Sequence, residues 1–199
     1  MQTKFVDYAN PNNSLNSCDI VMLDTCVMFN LASSNRDANV TNFAKFALNN
    51  DIMFCYSYKS VEEINIKSQY TTIPRNKRTA LPQIGKYVAD SFNKSEAILN
   101  VVNTLPNVYN EPVGSVDADI LEKIRNNSLK HNLRWGDAAI YTIAKENGIN
   151  YIWTMDSDLS RIVDSDMTII TDAKFIPNNI TSSSSVKVNS PNASLINTV

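Results

Sequence analysis

Four carboxylates in this sequence fall where an apolar segment ends or a helix should begin. Asp24 closes the run Ile20-Val21-Met22-Leu23. Asp156 follows Tyr151-Ile152-Trp153-Thr154, and Asp158 stands two residues on. Asp137 opens the apolar stretch WGDAAIYTIAKENG, and Glu63 lies three residues after Ser60 in SYKSVEEI. Brought within a few ångströms, such acids repel, and the repulsion raises their pKa values or pulls the local fold apart. A hard divalent cation resolves that conflict. Mg²⁺ or Mn²⁺ prefers oxygen donors and keeps several of its waters. Each acid alone has a plainer role. Asp24 reads as a turn residue, Glu63 as a capping-box partner of Ser60, Asp137 as a helix-start charge, and Asp158 as the cap of a short LSRIV helix. It is their joint placement that points to a metal.

The elements that would position them follow from pattern. Short apolar runs predict strands at Ile20–Asp24, Ile52–Tyr56, Tyr151–Thr154 and Met167–Thr171. Helical spacing predicts helices over 37–49, Val61 to about Ser68 with Ser60 as cap, about Gln83–Thr104, and Ala118 to about Lys130 behind Ser115 or Asp117. The clearest helix is Trp135–Glu146, stopped by Asn147-Gly148. Strands alternating with helices imply a three-layer α/β/α fold around a mostly parallel central sheet of four or five strands. Ligands in such sheets gather beyond the carboxyl ends of the strands, which is where the four acids fall. Residues 1–18 read as an N-terminal arm, 19–175 as the folded domain with a helical insertion at about 67–116, and 176–199 as a low-complexity tail.

The pieces IVMLDTCVMFNL, SYKSVEEI, WGDAAIYTIAKENG and YIWTMDSDL together resemble the PIN-domain nucleases, VapC-type toxins among them. The resemblance implies metal-dependent hydrolysis of phosphodiester bonds in single-stranded or structured RNA. By position it makes Asp24, Glu63, Asp137 and Asp156 the catalytic acids, with Asp24, Asp137, Asp156 and Asp158 near the metal. Thr25 and Thr154 match hydroxyls that orient carboxylates or water. Glu62 is an awkward neighbour of Glu63, because only one of two successive helix residues can face a site. An antitoxin protein and a second copy of the chain are the protein partners that the resemblance implies. One or two Mg²⁺ or Mn²⁺ ions would lower the pKa of a bound water and stabilise the leaving oxygen.

Composition narrows the classes further. The chain has 199 residues, 43% of them hydrophobic, enough for one domain with a core. Its formal net charge of −2 excludes a broadly basic surface, so any RNA contact rests on local cations. Arg75, Lys77, Arg78 and Arg134 are the candidates, the first three near Tyr70. Three cysteines at irregular spacing give no disulfide framework or zinc motif. The polar N-terminus shows no secretion signal, and no apolar run is long enough to span a bilayer, so a reducing, cytoplasmic setting is expected. His131 reads as a surface residue, and Trp135 and Trp153 as core. Two rival readings stay open: a non-catalytic module of the same fold that docks RNA or a protein, and a phosphatase with an aspartyl nucleophile. The latter usually carries a second acid two residues on, where Cys26 stands here.

Overall fold

A computed structural model describes residues 2–11, 15–73 and 81–178. Five strands, β1 (Lys4–Asp7), β2 (Ile20–Leu23), β3 (Met53–Tyr56), β4 (Tyr151–Trp153) and β5 (Thr168–Thr171), form one sheet in the order β1-β5-β4-β2-β3. Every pairing is parallel. The helices are α1 (Thr25–Ala32), α2 (Ala38–Asn49), α3 (Tyr58–Thr72), α4 (Leu81–Asn103), α5 (Ala118–His131) and α6 (Trp135–Glu146).

The period of two along each strand decides the layers. Val21, Leu23, Phe54, Tyr56, Trp153 and Ile170 face one side, where α1 to α4 cover them. Met22, Cys55, Ile152 and Ile169 face the other, under α5 and α6. Both faces are buried, which is why the strands read as continuous apolar runs. Trp153 centres the first layer, with Phe43 edge-on at 4.5 Å and Phe54 at 5.6 Å between ring centroids. The sheet is three-layered and wholly parallel, as the alternation of elements predicts.

Several elements differ from the sequence expectation. The arm expected at 1–18 contributes β1, whose Lys4 pairs with Thr168 at the sheet edge. Four residues of alternating burial are too short to announce a strand without the partner that recruits them. Helix α1 starts directly after Asp24 and carried no separate signal beside the strand that precedes it. Helix α3 is capped by Ser57, whose hydroxyl accepts from Ser60 N at 3.0 Å, so Ser60 lies inside the helix and Glu63 in its second turn. The segment expected as an insertion belongs to the layer itself. Helix α4 packs on α3 and α1 and buries Ile98 and Val102 in the core. Beyond it, Asn107 to Val113 runs along β3, with bridges at Phe54–Val108 and Ser57–Val113 that cover an edge strand. No helix among the described residues is long and apolar enough to cross a membrane. Arg75, Lys77, Arg78 and the tail from 179 lie outside the described residues.

Candidate active site

The sheet's order reverses between β2 and β4, which are neighbours. Asp24 follows β2 and Thr154 follows β4, so the two meet at that crevice. Asp24 N donates to Trp153 O at 2.9 Å, and its own carbonyl accepts from Val27 N and Met28 N to start α1. Its carboxylate makes no capping bond to that helix. It turns instead to the Thr154 hydroxyl, which donates to Asp24 Oδ2 at 2.6 Å, and to the Cys26 thiol, which donates at 3.0 Å. Asp24 is therefore the cap residue of α1 through its backbone alone, with its carboxylate turned to the crevice. With 4% of its surface exposed, this carboxyl is pushed up from the ordinary range by burial, against the opposing pull of those two donors.

Thr154 serves both strand ends. Its oxygen also accepts from Asp156 N at 2.9 Å, and Asp156 Oδ1 accepts in turn from Asp158 N at 3.0 Å. One buried hydroxyl so fixes the loop that carries Asp156 against the residue that carries Asp24. Cys26 completes the linkage, accepting from Met155 N at 3.1 Å. Nothing in the sequence pattern gives Cys26 this role, because the spacing of the cysteines points to no site. Burial and then the Asp24 charge push the thiol well up, so it stays protonated and can donate.

Asp137 reaches the same crevice from the opposite layer, in the first turn of α6. Its carboxyl is pushed up to about 7, by burial first and then by Asp24, Asp156, Asp158 and Glu63. Five acids from four segments thus act on one another. Glu63 comes from α3 and lies against Gly136. A Cβ at that glycine would stand 2.0 Å from Glu63 Oε1, so the absent side chain is what admits the carboxylate beside Asp137. Glu62 points elsewhere, to Lys59 at 2.8 Å, and Lys67 flanks Glu63 at 3.5 Å.

The remaining expectations divide. Asp158 is held by two guanidinium groups, Arg161 at 3.1 Å and Arg134 at 3.3 Å, so its charge is already matched at the rim of the acids. The Thr25 hydroxyl is buried without a hydrogen-bond partner, so it orients no side chain here. His131, expected on the surface, is buried. Its Nδ1 accepts from Val163 N, and its ring meets Tyr141 edge-on at 5.3 Å, because the C-terminus of α5 docks on α6. Trp135, expected in the core, is 46% exposed, since the first residue of α6 projects past the layer that the rest of the helix fills.

Among the described residues no three acidic, histidine or cysteine side chains stand together as a finished ligand set. Charges act on one another over about 10 Å, whereas ligation needs contact at roughly 2 Å. The acids therefore share a field before they share an ion. Their chemistry fits a hard cation nonetheless. The donors are carboxylate oxygens, an octahedral ion that retains waters needs only one or two of them directly, and each added positive charge relieves the repulsion that raises Asp137.

No curated protein matches the sequence. Among solved structures, FitAcB from Neisseria gonorrhoeae aligns with a TM-score of 0.42 and 18% identity, over 75% of this chain and 96% of that one. FitAB bound to an IR36 DNA fragment aligns with a TM-score of 0.43 and 16% identity, over 76% and 94%. The family model of the PIN domain matches residues 21–164, from the strand that ends on Asp24 to the loop beyond Asp156 and Asp158, and this chain belongs to that family.

Proposed function

We propose that this protein is a metal-dependent endoribonuclease that hydrolyses phosphodiester bonds in RNA. The observation that carries the reading is the Asp137 carboxyl, pushed up to about 7 by burial and by four neighbouring acids. A structural carboxylate is normally matched by donors; one surrounded by its own sign marks a site awaiting a cation or a proton. Asp24, Asp137 and Asp156 would hold Mg²⁺ or Mn²⁺. When bound, that ion would supply an acidified water and neutralise charge on the phosphate.

The chain's own residues do the positioning. Thr154 and Cys26 both donate to Oδ2 of Asp24 and hold that carboxylate in one orientation. Glu63, beside Asp137, is placed to accept a proton or orient a water at the same crevice. Asp158 keeps Arg134 and Arg161 at the rim, where a guanidinium can meet a phosphate oxygen.

The test is cleavage of mixed RNA by the purified chain with Mn²⁺, with EDTA, and by Asp24→Asn. Cleavage that needs Mn²⁺ and is lost in the variant supports the proposal. Equal cleavage by both proteins removes it. A non-catalytic module is the reading left if calorimetric titration finds no Mn²⁺ binding. A narrower role, a toxin held by an antitoxin, predicts growth arrest on expression of the intact chain and none with Asp156→Asn.

A further inference from the structure

Among the described residues, three cations pair with the acids of the crevice: Arg134 and Arg161 with Asp158, and Lys67 with Glu63. Arg161 is tied twice, because it also donates to Asn132 O at 3.0 Å. Lys67 is held more loosely. Its Nζ stands 3.5 Å from Glu63 Oε2, well beyond the roughly 2.7–2.9 Å of a charge-assisted hydrogen bond. Earlier in the same helix, Lys59 closes to 2.8 Å on Glu62. The Lys67 side chain is 51% exposed, and its ammonium lies 5.8 Å from the centre of the Phe29 ring, where α3 meets α1. Glu63 itself reaches inward. Its Oε1 lies against Gly136, and its charge acts on both Asp24 and Asp137. Lys67 is therefore one carboxylate away from the acids that would hold the metal.

We propose that Lys67 is a movable counter-ion: it rests on Glu63 in the free protein, passes to a backbone phosphate when RNA binds, and so couples metal binding to RNA binding. The inference rests on the nuclease reading and adds to it a link between the two ligands. Five carboxylates meet three cations in the crevice, a deficit that one divalent ion makes good. A phosphate brought to that ion adds negative charge, and the cation least committed to its present partner is Lys67. Its flexible stem suits the transfer, since an ammonium is a point charge with no planar fork to realign. With no strand present, the ammonium opposes a divalent ion arriving beside Glu63. Once a phosphate holds the ammonium, that opposition is offset and the ion binds more tightly. Linkage makes the effect mutual, so the ion also raises the affinity for RNA.

Two titrations of the full chain test this, both apart from cleavage. The first is calorimetric, with Mn²⁺ alone. Lys67→Gln should bind Mn²⁺ about threefold more tightly than the wild type, because a positive charge has left the site. The second follows a labelled oligoribonucleotide of about 12 nucleotides in Ca²⁺, from about 50 to 200 mM salt, with strand integrity checked on a gel. Lys67→Gln should weaken RNA binding, and the slope of log affinity against log salt should flatten by about 0.7, the loss of one phosphate contact. Lys67→Arg should keep the slope. RNA affinity should also rise more from EDTA to Ca²⁺ in the wild type than in Lys67→Gln. A Lys67 that only props Glu63 in place would leave the slope unchanged and weaken Mn²⁺ binding when removed. Either result in a folded Lys67→Gln protein overturns the proposal, as do equal rises from EDTA to Ca²⁺ or a wild-type chain that fails to bind the strand. If the expected shifts appear in a chain without Mn²⁺-dependent cleavage, Lys67 keeps its role and the nuclease reading falls, so the two failures are distinguishable.

Discussion

Two carboxylates at opposite ends of helix α6 have opposite fates. Asp137, in its first turn, is pushed up to about 7 by burial and by four acids. Asp164 lies beside the helix's later turns, where Tyr141 and Lys145 project one and two turns beyond Asp137. Burial raises Asp164 too, but hydrogen bonds from Lys145, Tyr141 and Asp166 N outweigh it and hold that carboxyl at about 2. The two acids differ in what the fold gives them. One receives a cation, a phenol and an amide; the other receives only its own kind. A carboxylate supplied with donors ties the β4–β5 loop to α6. A carboxylate denied them is left for a ligand to satisfy.

That contrast can be broken most sharply by exchange of function. Asp137→Asn should lower RNA cleavage about 10²-fold or more, as the loss of a metal ligand does, while Asp164→Asn leaves the rate within about twofold. Comparable losses in both would erase the distinction, and single-turnover rates with Mn²⁺ decide it. The next effect is on metal affinity. A proton on Asp137 competes with the cation below pH 7, so Mn²⁺ binding should weaken about tenfold per pH unit beneath that point and level off above it. Calorimetric titrations from pH 5.5 to 8.5 in steps of about half a unit would measure the slope, and a flat profile would contradict it.

A smaller change comes from Gly136→Ala. A helix interior favours Ala by up to ~1 kcal/mol, yet the new methyl would sit against the Glu63 carboxylate. Cleavage should fall roughly tenfold with no drop in melting temperature; an active variant would mean that Glu63 moves away at no cost. The smallest expected effects are on stability. Asp164→Asn should lower the melting temperature by about 2–4 °C, the shift of ~1 kcal/mol in a chain of this size, at neutral pH. The wild-type contribution is depressed-carboxylate stability, present above pH 4 and lost as pH falls toward 2. Asp137 has the reverse sign. Its raised pKa costs the metal-free fold stability once pH climbs from about 4 through 7, so Asp137→Asn should stabilise the EDTA-treated protein at pH 8 and not at pH 4.

Much of this was legible because burial leaves a local imprint. The run Ile20–Leu23, the Trp135–Glu146 helix and the Tyr151–Trp153 strand are continuous apolar segments with polar stops, and each folds within a residue of its predicted bounds. Features carried by one or two residues were not legible. Lys4–Asp7 is a strand only because β5 offers it an edge. Ser57 outcompetes Ser60 as a cap because its hydroxyl meets Ser60 N at the end of β3. His131 and Trp135 exchanged places relative to expectation, since a helix terminus docks or projects according to its neighbour.

The sequence by itself determined which acids end an apolar strand or open a helix, and hence which charges must lie at the carboxyl edge of a parallel sheet, because strand period and helix period are set by local geometry. Only the tertiary structure decided which of those acids are left without donors. Asp24 took the Thr154 hydroxyl and the Cys26 thiol, Asp158 took two arginines, and Asp137 took none of these. Burial and like charge are sums over groups distant in the chain, and such sums exist only once the chain has folded.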